Sequence, residues 1–126
     1  MTDFSTARKV ATMISAIAEP TRLRIAFHLA RGPHHVGQLA ELLDIPMVNM
    51  SHHLGVMRQA GLIDDERDGR RVVYTFRPGI LSEGDGNEIL ASLKLGTLWV
   101  VLRAAGAPIF DGKMQPKGKP KPKSAK

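Results

Sequence analysis

Several side chains between residues 47 and 58 have the chemistry needed to contact the edges of DNA bases. Asn49 can form a bidentate pair with adenine, while Ser51 and His52 can donate to or accept from bases and phosphates. Met47 and Val48 begin the same segment and can touch a thymine methyl group. Side chains of these kinds identify bases when a helix carries them into the major groove. A helix over this segment is therefore a candidate recognition element.

A second candidate site is a group of arginines around a predicted turn at Asp68-Gly69. Arg70 and Arg71 follow the turn, and Arg67 precedes it among the acidic residues 64–68. One interpretation is a set of ion pairs within the hairpin, which contribute little. The other is contact of Arg70 and Arg71 with phosphates or the minor groove. The predicted DNA-binding set is Met47, Val48, Asn49, Ser51, His52, Arg58, Arg70 and Arg71.

Four amphipathic segments predict the helices that must position these residues. The first covers residues 5–18, with an apolar stripe of Val10, Ile14 and Ile17 flanked by Phe4 and Met13. The second begins at Pro20 and ends near Gly32-Pro33, with Leu23, Ala26, Phe27 and Ala30 predicted to face inward. The third has Val36, Leu39, Ala40 and Leu43 on one face. The fourth covers residues 47–60, with Met50, Leu54 and Met57 inward and Gly61 as its cap. Asp44-Ile45-Pro46 separates the last two helices and makes a helix-turn-helix pattern.

The hydrophobic period then changes to two residues. A strand opening at Leu62-Ile63 and a return strand through Tyr74 predict a hairpin that ends at Pro78-Gly79. Residues 89–102 fit two structures, a helix that would suit a dimer or two strands bending near Gly96. Their β-branched and aromatic content favours the strands. The two aromatics Tyr74 and Trp99 are predicted to lie in the core.

The charge distribution separates a body from a tail. The chain has 126 residues and a net charge of +6, but residues 1–111 hold 12 basic and 12 acidic side chains. Residues 112–126 hold six Lys and no acid, so they carry the whole excess. That Lys- and Pro-rich composition predicts a disordered tail that attracts phosphate without choosing a sequence. The overall basicity is therefore weak evidence for a specific nucleic-acid site.

Composition also excludes several classes of protein. The absence of Cys excludes disulfides, thiolate metal sites and a Cys nucleophile. No apolar run is long enough to span a membrane, and the N-terminus lacks the features of a signal peptide. We expect a cytoplasmic protein without cofactor, metal or membrane partner. No arrangement typical of an enzyme's catalytic groups is apparent.

Four stretches together resemble the ArsR-type (arsenic-repressor-like) regulators. They are residues 18–25 (AEPTRLRI), 39–43 (LAELL), 51–63 (SHHLGVMRQAGLI) and 68–74 (DGRRVVY). The resemblance implies a mainly α winged helix-turn-helix with a β-hairpin wing, acting as a homodimeric transcriptional regulator on double-stranded DNA. In that family, positions matching Ser51 and His52 contact DNA, whereas His53 is expected to pack against the domain or cap a helix. This sequence departs from the family in having Pro46 at the usual Ser or Thr cap of the recognition helix.

The resemblance does not extend to the metal sensors of that family. The Cys-x-Cys positions of the third helix are His35 and Gly37 here, and no His follows His53. One imidazole does not make a tetrahedral site, so we interpret His34-His35 as a solvated pair at a helix start.

The predicted organisation has four parts. Residues 1–18 form a dimerisation helix and 19–78 the winged helix-turn-helix. Residues 79–111 form a C-terminal extension, a β-hairpin by preference or else a helix, and 112–126 the tail. The predicted function is operator binding by a homodimeric repressor. The alternative is a winged-helix module that binds another protein, because fold alone does not determine function.

Overall fold

The computed structural model describes residues 3–104. The predicted tail at 112–126 and the last residues of the extension lie outside that range. The elements run α1 (Phe4–Ile17), α2 (Pro20–Leu29), β1 (His34–His35), α3 (Val36–Leu43), α4 (Met47–Gln59), β2 (Ile63–Asp68), β3 (Arg71–Phe76), β4 (Leu81–Glu83), β5 (Ile89–Leu95) and β6 (Leu98–Arg103). The predicted fold is confirmed, and residues 89–103 are strands rather than a helix. The short strands β1 and β4 were not predicted.

The first two helices keep their predicted positions, but their inward faces differ in part from the prediction. Val10 and Ile17 of α1 are buried, whereas Ile14 and Phe4 are 36% and 74% exposed. In α2 the prediction for Leu23 is wrong, because it is 42% exposed. The fully buried side chains of that helix include Ile25 and Leu29. Apolar residues occur on two sides of this short helix, so its sequence allowed two rotations.

The core lies where α2, α3 and α4 meet the base of the wing. Its fully buried side chains include Ile25, Leu29, Leu39, Met50, Leu54, Met57, Leu62 and Ile63. No polar or charged side chain is buried among residues 3–104. Apolar burial therefore stabilises this body, and polar groups specify the ends of its helices.

The wing is a three-stranded antiparallel sheet in the order β1-β3-β2. The β2 and β3 strands pair from Ile63 opposite Phe76 to Asp68 opposite Arg71. The connecting turn is Gly69-Arg70, one residue later than predicted, and Gly69 has φ 68°. A left-handed first turn residue suits glycine and matches the twist of the two strands.

A second antiparallel sheet, in the order β4-β5-β6, forms the C-terminal extension. Leu93 and Leu95 of β5 are fully buried, and β5 packs against α1. Trp99 lies opposite Lys94, on the other face of the sheet. The prediction that Trp99 belongs to the core is therefore wrong, since the residue lies on the outer face and is 55% exposed. Within residues 3–104 there is no helix long and apolar enough to span a membrane.

How tightly α1 packs against the extension can be tested by replacing two glycines that have similar φ angles and comparing the loss of stability. Gly96 has φ 65°, and a Cβ there would lie 2.8 Å from Val10 Cγ2. Gly69 has φ 68° with no atom within 4 Å of its own added Cβ. Each Gly→Ala change should cost about 1–2 kcal/mol for the left-handed backbone. Gly96→Ala should lose about 1–3 kcal/mol more, because Val10 is buried and β-branched and cannot easily move. Urea denaturation of both variants checks this, and equal losses would show that α1 and the β5–β6 turn are not tightly packed.

Candidate nucleic-acid interface

The turn before α4 determines where this candidate recognition helix begins. Asp44 ends α3 in the left-handed conformation, with φ 57°, and its N–H donates to the carbonyls of Ala40 and Glu41. Asp tolerates this conformation better than most residues. Pro46 then occupies the N-cap without any side-chain hydrogen bond. As predicted, α4 lacks the side-chain cap that a Ser or Thr would provide at this position, and the helix begins at Met47.

The rotation of α4 about its axis is set by its three core residues. Met50, Leu54 and Met57 are each 0% exposed. At 3.6 residues per turn, Val48, His52 and Gly55 lie roughly 130–170° away from the centre of that buried stripe. Val48 is 81% exposed and Met47 54% exposed. All the predicted DNA-binding residues of this helix are exposed: Met47, Val48, Asn49, Ser51, His52 and Arg58.

Gly55 is a residue of this face that the sequence reasoning missed. It lies one turn after His52, and a Cβ added to it would meet no atom within 4 Å. Glycine inside a helix destabilises it by about 0.5–1 kcal/mol relative to alanine. No neighbour within residues 3–104 requires a glycine at this position. The missing side chain therefore leaves the backbone of α4 uncovered on its outward surface. The available signal was a glycine at a non-core position of the helix.

The tip of the wing presents Arg70 and Arg71 without engaging them in ion pairs within residues 3–104. Arg70 lies in the turn, Arg71 begins β3, and both are exposed. The carboxylate–arginine pairs found within residues 3–104 involve other side chains, Arg77 with Asp64 at 3.3 Å and Arg103 with Glu88 at 3.2 Å. The interpretation of Arg67, Arg70 and Arg71 as members of intrahairpin ion pairs is therefore wrong for this structure.

Arg58 links the end of α4 electrostatically to the wing sheet. Burial raises the pKa of Tyr74 on β3, the negative charge of Asp65 raises it further, and the positive charge of Arg58 lowers it. These interactions place Arg58 near β2 and β3. The exposed end of α4 and the wing thus adjoin one another.

Arg22 connects three elements beneath the recognition helix. Its Nε donates to the carbonyl of Ala16 at the end of α1, and a terminal nitrogen donates to His53 Nδ1 on α4 at 3.0 Å. Because a guanidinium has no acceptor, His53 Nδ1 accepts this hydrogen bond. Glu19 caps α2 by accepting from the Arg22 N–H at 2.9 Å. That backbone hydrogen bond, with a smaller effect of the Arg22 charge, lowers the pKa of Glu19. His53 is thus a packed residue, as expected.

The remaining histidines of interest have structural partners. His35 is the N-cap of α3, where its Nδ1 accepts from the Gln38 N–H and its own N–H donates to Gln38 Oε1. His34 and His35 also pair with β3 as strand β1. The pair therefore lies at a helix start, as predicted, but both histidines have structural partners and are not merely solvated. Residues 3–104 contain no group of three or more His, Cys, Asp or Glu side chains arranged to hold a metal.

The arrangement can be compared with known proteins. A family model described as a helix-turn-helix domain matches residues 17–66. The Biofilm growth-associated repressor of Agrobacterium fabrum is 40% identical over 68 residues, a stretch that covers 54% of this chain and 58% of that relative. The HTH-type transcriptional regulator YgaV of Escherichia coli is 32% identical over 91 residues, which cover 71% of this chain and 87% of YgaV.

A solved structure extends the comparison to the fold. It is the homodimeric winged helix-turn-helix DNA-binding domain of Mb0332 from Mycobacterium bovis, described as a possible ArsR-family transcriptional regulator. The match has 28% identity and a TM-score of 0.55, and covers 60% of this chain and 72% of that one. The chain belongs to the ArsR family of transcriptional regulators. In this winged helix-turn-helix, α4 is the second helix of the helix-turn-helix.

The Arg22–His53 contact should influence how this ArsR-family helix is held. Arg22→Met removes the donor to His53 and should weaken binding to a selected DNA site by about tenfold, since a hydrogen bond from a charged group contributes about 1.5–3 kcal/mol. Arg24→Met is the matched control, because Arg24 is exposed on the same helix and forms no hydrogen bond or ion pair within residues 3–104. Fluorescence anisotropy gives the affinities, and circular dichroism checks folding. Equal affinities for the two variants would show that Arg22 does not position α4.

Proposed function

We propose that this protein is a sequence-specific regulator that binds double-stranded DNA, a repressor acting as a homodimer on a pseudo-palindromic operator. The observation that carries the proposal is the outward face of α4. Its core stripe is fully buried, and the opposite side presents exposed residues of base-reading types next to a wing with free arginines. Relatives whose names include repressor and transcriptional regulator support it.

Each predicted site residue has a role in this proposal. Asn49, Ser51 and His52 contact base edges or nearby phosphates in the major groove. Met47 and Val48 contact thymine methyl groups, which is consistent with their exposure at the first turn of α4. The arginines of the site contact phosphates or enter the minor groove: Arg58, Arg70 and Arg71.

Repression would follow from occupation of the promoter. Each protomer places α4 in one major groove, and the two half-sites lie about one helical turn, or a multiple of it, apart. Binding involves no chemical step, so no residue is given a catalytic role and the protein is not an enzyme. The Lys-rich residues 112–126 would add attraction to any DNA without adding specificity.

The base-reading role of α4 can be tested on DNA fragments selected from a genomic library. Ser51→Ala combined with His52→Ala should weaken binding to the selected site by a few kcal/mol, because each polar base contact provides about 1–3 kcal/mol of discrimination. Binding to random DNA should change little, since phosphate contacts supply it. A gel shift with both DNAs measures the two affinities. If both fall equally, the two residues contact phosphate rather than bases, and if no fragment is ever selected, the proposed function is wrong.

The bare backbone at Gly55 gives a second test with opposite effects on stability and binding. Gly55→Ala should stabilise the free protein by about 0.5–1 kcal/mol, because alanine favours the helix and meets no neighbour there. If DNA closely approaches the outward face of α4, the added methyl group should weaken operator binding at least severalfold. Thermal denaturation and anisotropy measure the two effects. Stabilisation with unchanged affinity would show that DNA does not approach the helix at Gly55.

A further inference from the structure

The strand β6 is a long apolar edge of the C-terminal sheet. The strand order β4-β5-β6 pairs β6 with β5 on one side only within the described part of the chain. Three large apolar side chains of β6 are exposed: Leu98 at 40%, Trp99 at 55% and Val101 at 48%. Large exposed apolar groups grouped on one edge strand indicate a contact surface.

The backbone of this strand has hydrogen-bonding groups directed outward. The turn between β5 and β6 has two residues, and Leu95 lies opposite Leu98 across it. Residues that flank a two-residue hairpin turn form a hydrogen-bonded pair, and such pairs alternate along an antiparallel ladder. The N–H and C=O groups of Trp99 and Val101 therefore point away from β5. Another strand can satisfy them, whereas a helix cannot.

The other sheet edges of residues 3–104 carry features that prevent such pairing. The wing edge β2 has the charged run Asp64–Asp68 along its length. The edges β1 and β4 have two and three residues, and β4 includes Glu83. Charges and short length are common protections of edge strands. Residues 98–102 (LWVVL) have neither a charge nor a proline, so β6 is the unprotected edge.

We propose that the β6 strands of two copies of this chain pair antiparallel across a twofold axis and join their sheets into one six-stranded sheet. The occupant of the edge is a second copy because an antiparallel edge is complementary to itself under twofold symmetry. The edge also lacks a charge pattern that would select a different partner. The similar Mb0332 domain is itself homodimeric. The inference rests on the homodimer in the proposed function. It assigns the contact between the two copies to β6, whereas the sequence analysis predicted a dimerisation helix, α1.

The pairing has a restricted register. A one-residue slip would turn the apolar inner face of one strand toward the outer face of the other. Like faces meet when Val100 lies opposite its own copy or when Val101 does. In the first register Trp99 lies across from Val101 of the second copy, and Leu98 from Leu102. Apolar side chains then contact each other on both faces of the new sheet.

The molar mass in solution tests the surface directly. The wild-type protein should sediment as a dimer, whereas Trp99→Lys combined with Val101→Lys should sediment with the mass of the 13.8 kDa chain. Leu42→Lys is the matched control, since Leu42 is 52% exposed on α3, and it should remain dimeric. Ile14→Lys tests the alternative of an α1 interface. Circular dichroism confirms that each variant folds.

The outcomes separate the inference from the proposed function. If the β6 variant remains dimeric, or if only Ile14→Lys yields a monomer, the β6 pairing is wrong and the homodimer stands. If the wild-type protein is monomeric at the concentrations that bind DNA, both are wrong.

Cross-linking gives a second readout that does not depend on destabilising the protein. The chain has no Cys, so a single introduced thiol reports on its own position. Val100→Cys or Val101→Cys should form a disulfide-linked dimer rapidly under mild oxidation. Val48→Cys is the control, because Val48 is 81% exposed and would react at least as fast if contacts were random. Cross-linking at β6 no faster than at Val48 would overturn the inference.

Discussion

The proposed DNA-binding surface depends on complete burial of one side of α4. Met50, Leu54 and Met57 have no solvent exposure, and their packing against α2, α3 and the base of the wing leaves the helix a single rotation. Every outward residue follows from that rotation. A helix whose inner side were only partly buried would present its polar groups in several orientations. Base contacts require those groups to be placed to within a fraction of a hydrogen-bond length.

Polar contacts then determine where the helices begin and end and how neighbouring elements are joined, which apolar packing alone does not specify. The left-handed Asp44 sets the angle at which α4 leaves α3, and Arg22 ties the end of α1 to His53 in the middle of α4. The cap formed by His35 starts α3 and places β1 beside the wing. Helices α1 and α4 and the wing are therefore coupled through a few specific hydrogen bonds. A change in one of these elements has a direct route to the DNA surface.

The elements predicted most accurately from sequence were those with one apolar face and clear ends. The helix-turn-helix from Val36 to Gln59 and its three core residues were predicted correctly, because only one rotation buries the apolar groups. The predicted burial of Leu23 was wrong because α2 is short and apolar on two sides. The predicted burial of Trp99 was wrong because the alternation of a strand does not reveal which face is inward until its pairing partner is known. The His35 cap and the Arg22–His53 bond depend on distances that no spacing rule contains. The roles of the predicted DNA-binding residues remain predictions, although the structure leaves all of them exposed.

The central claim is that α4 of each of two protomers enters the major groove of one operator. Hydroxyl-radical footprinting on a selected DNA fragment, combined with methylation interference at guanine N7, tests this claim most directly. We expect two symmetric protected segments whose centres are about one helical turn, or a multiple of it, apart, with interference in the major groove of each. A single asymmetric footprint, or protection without interference in the major groove, would contradict it.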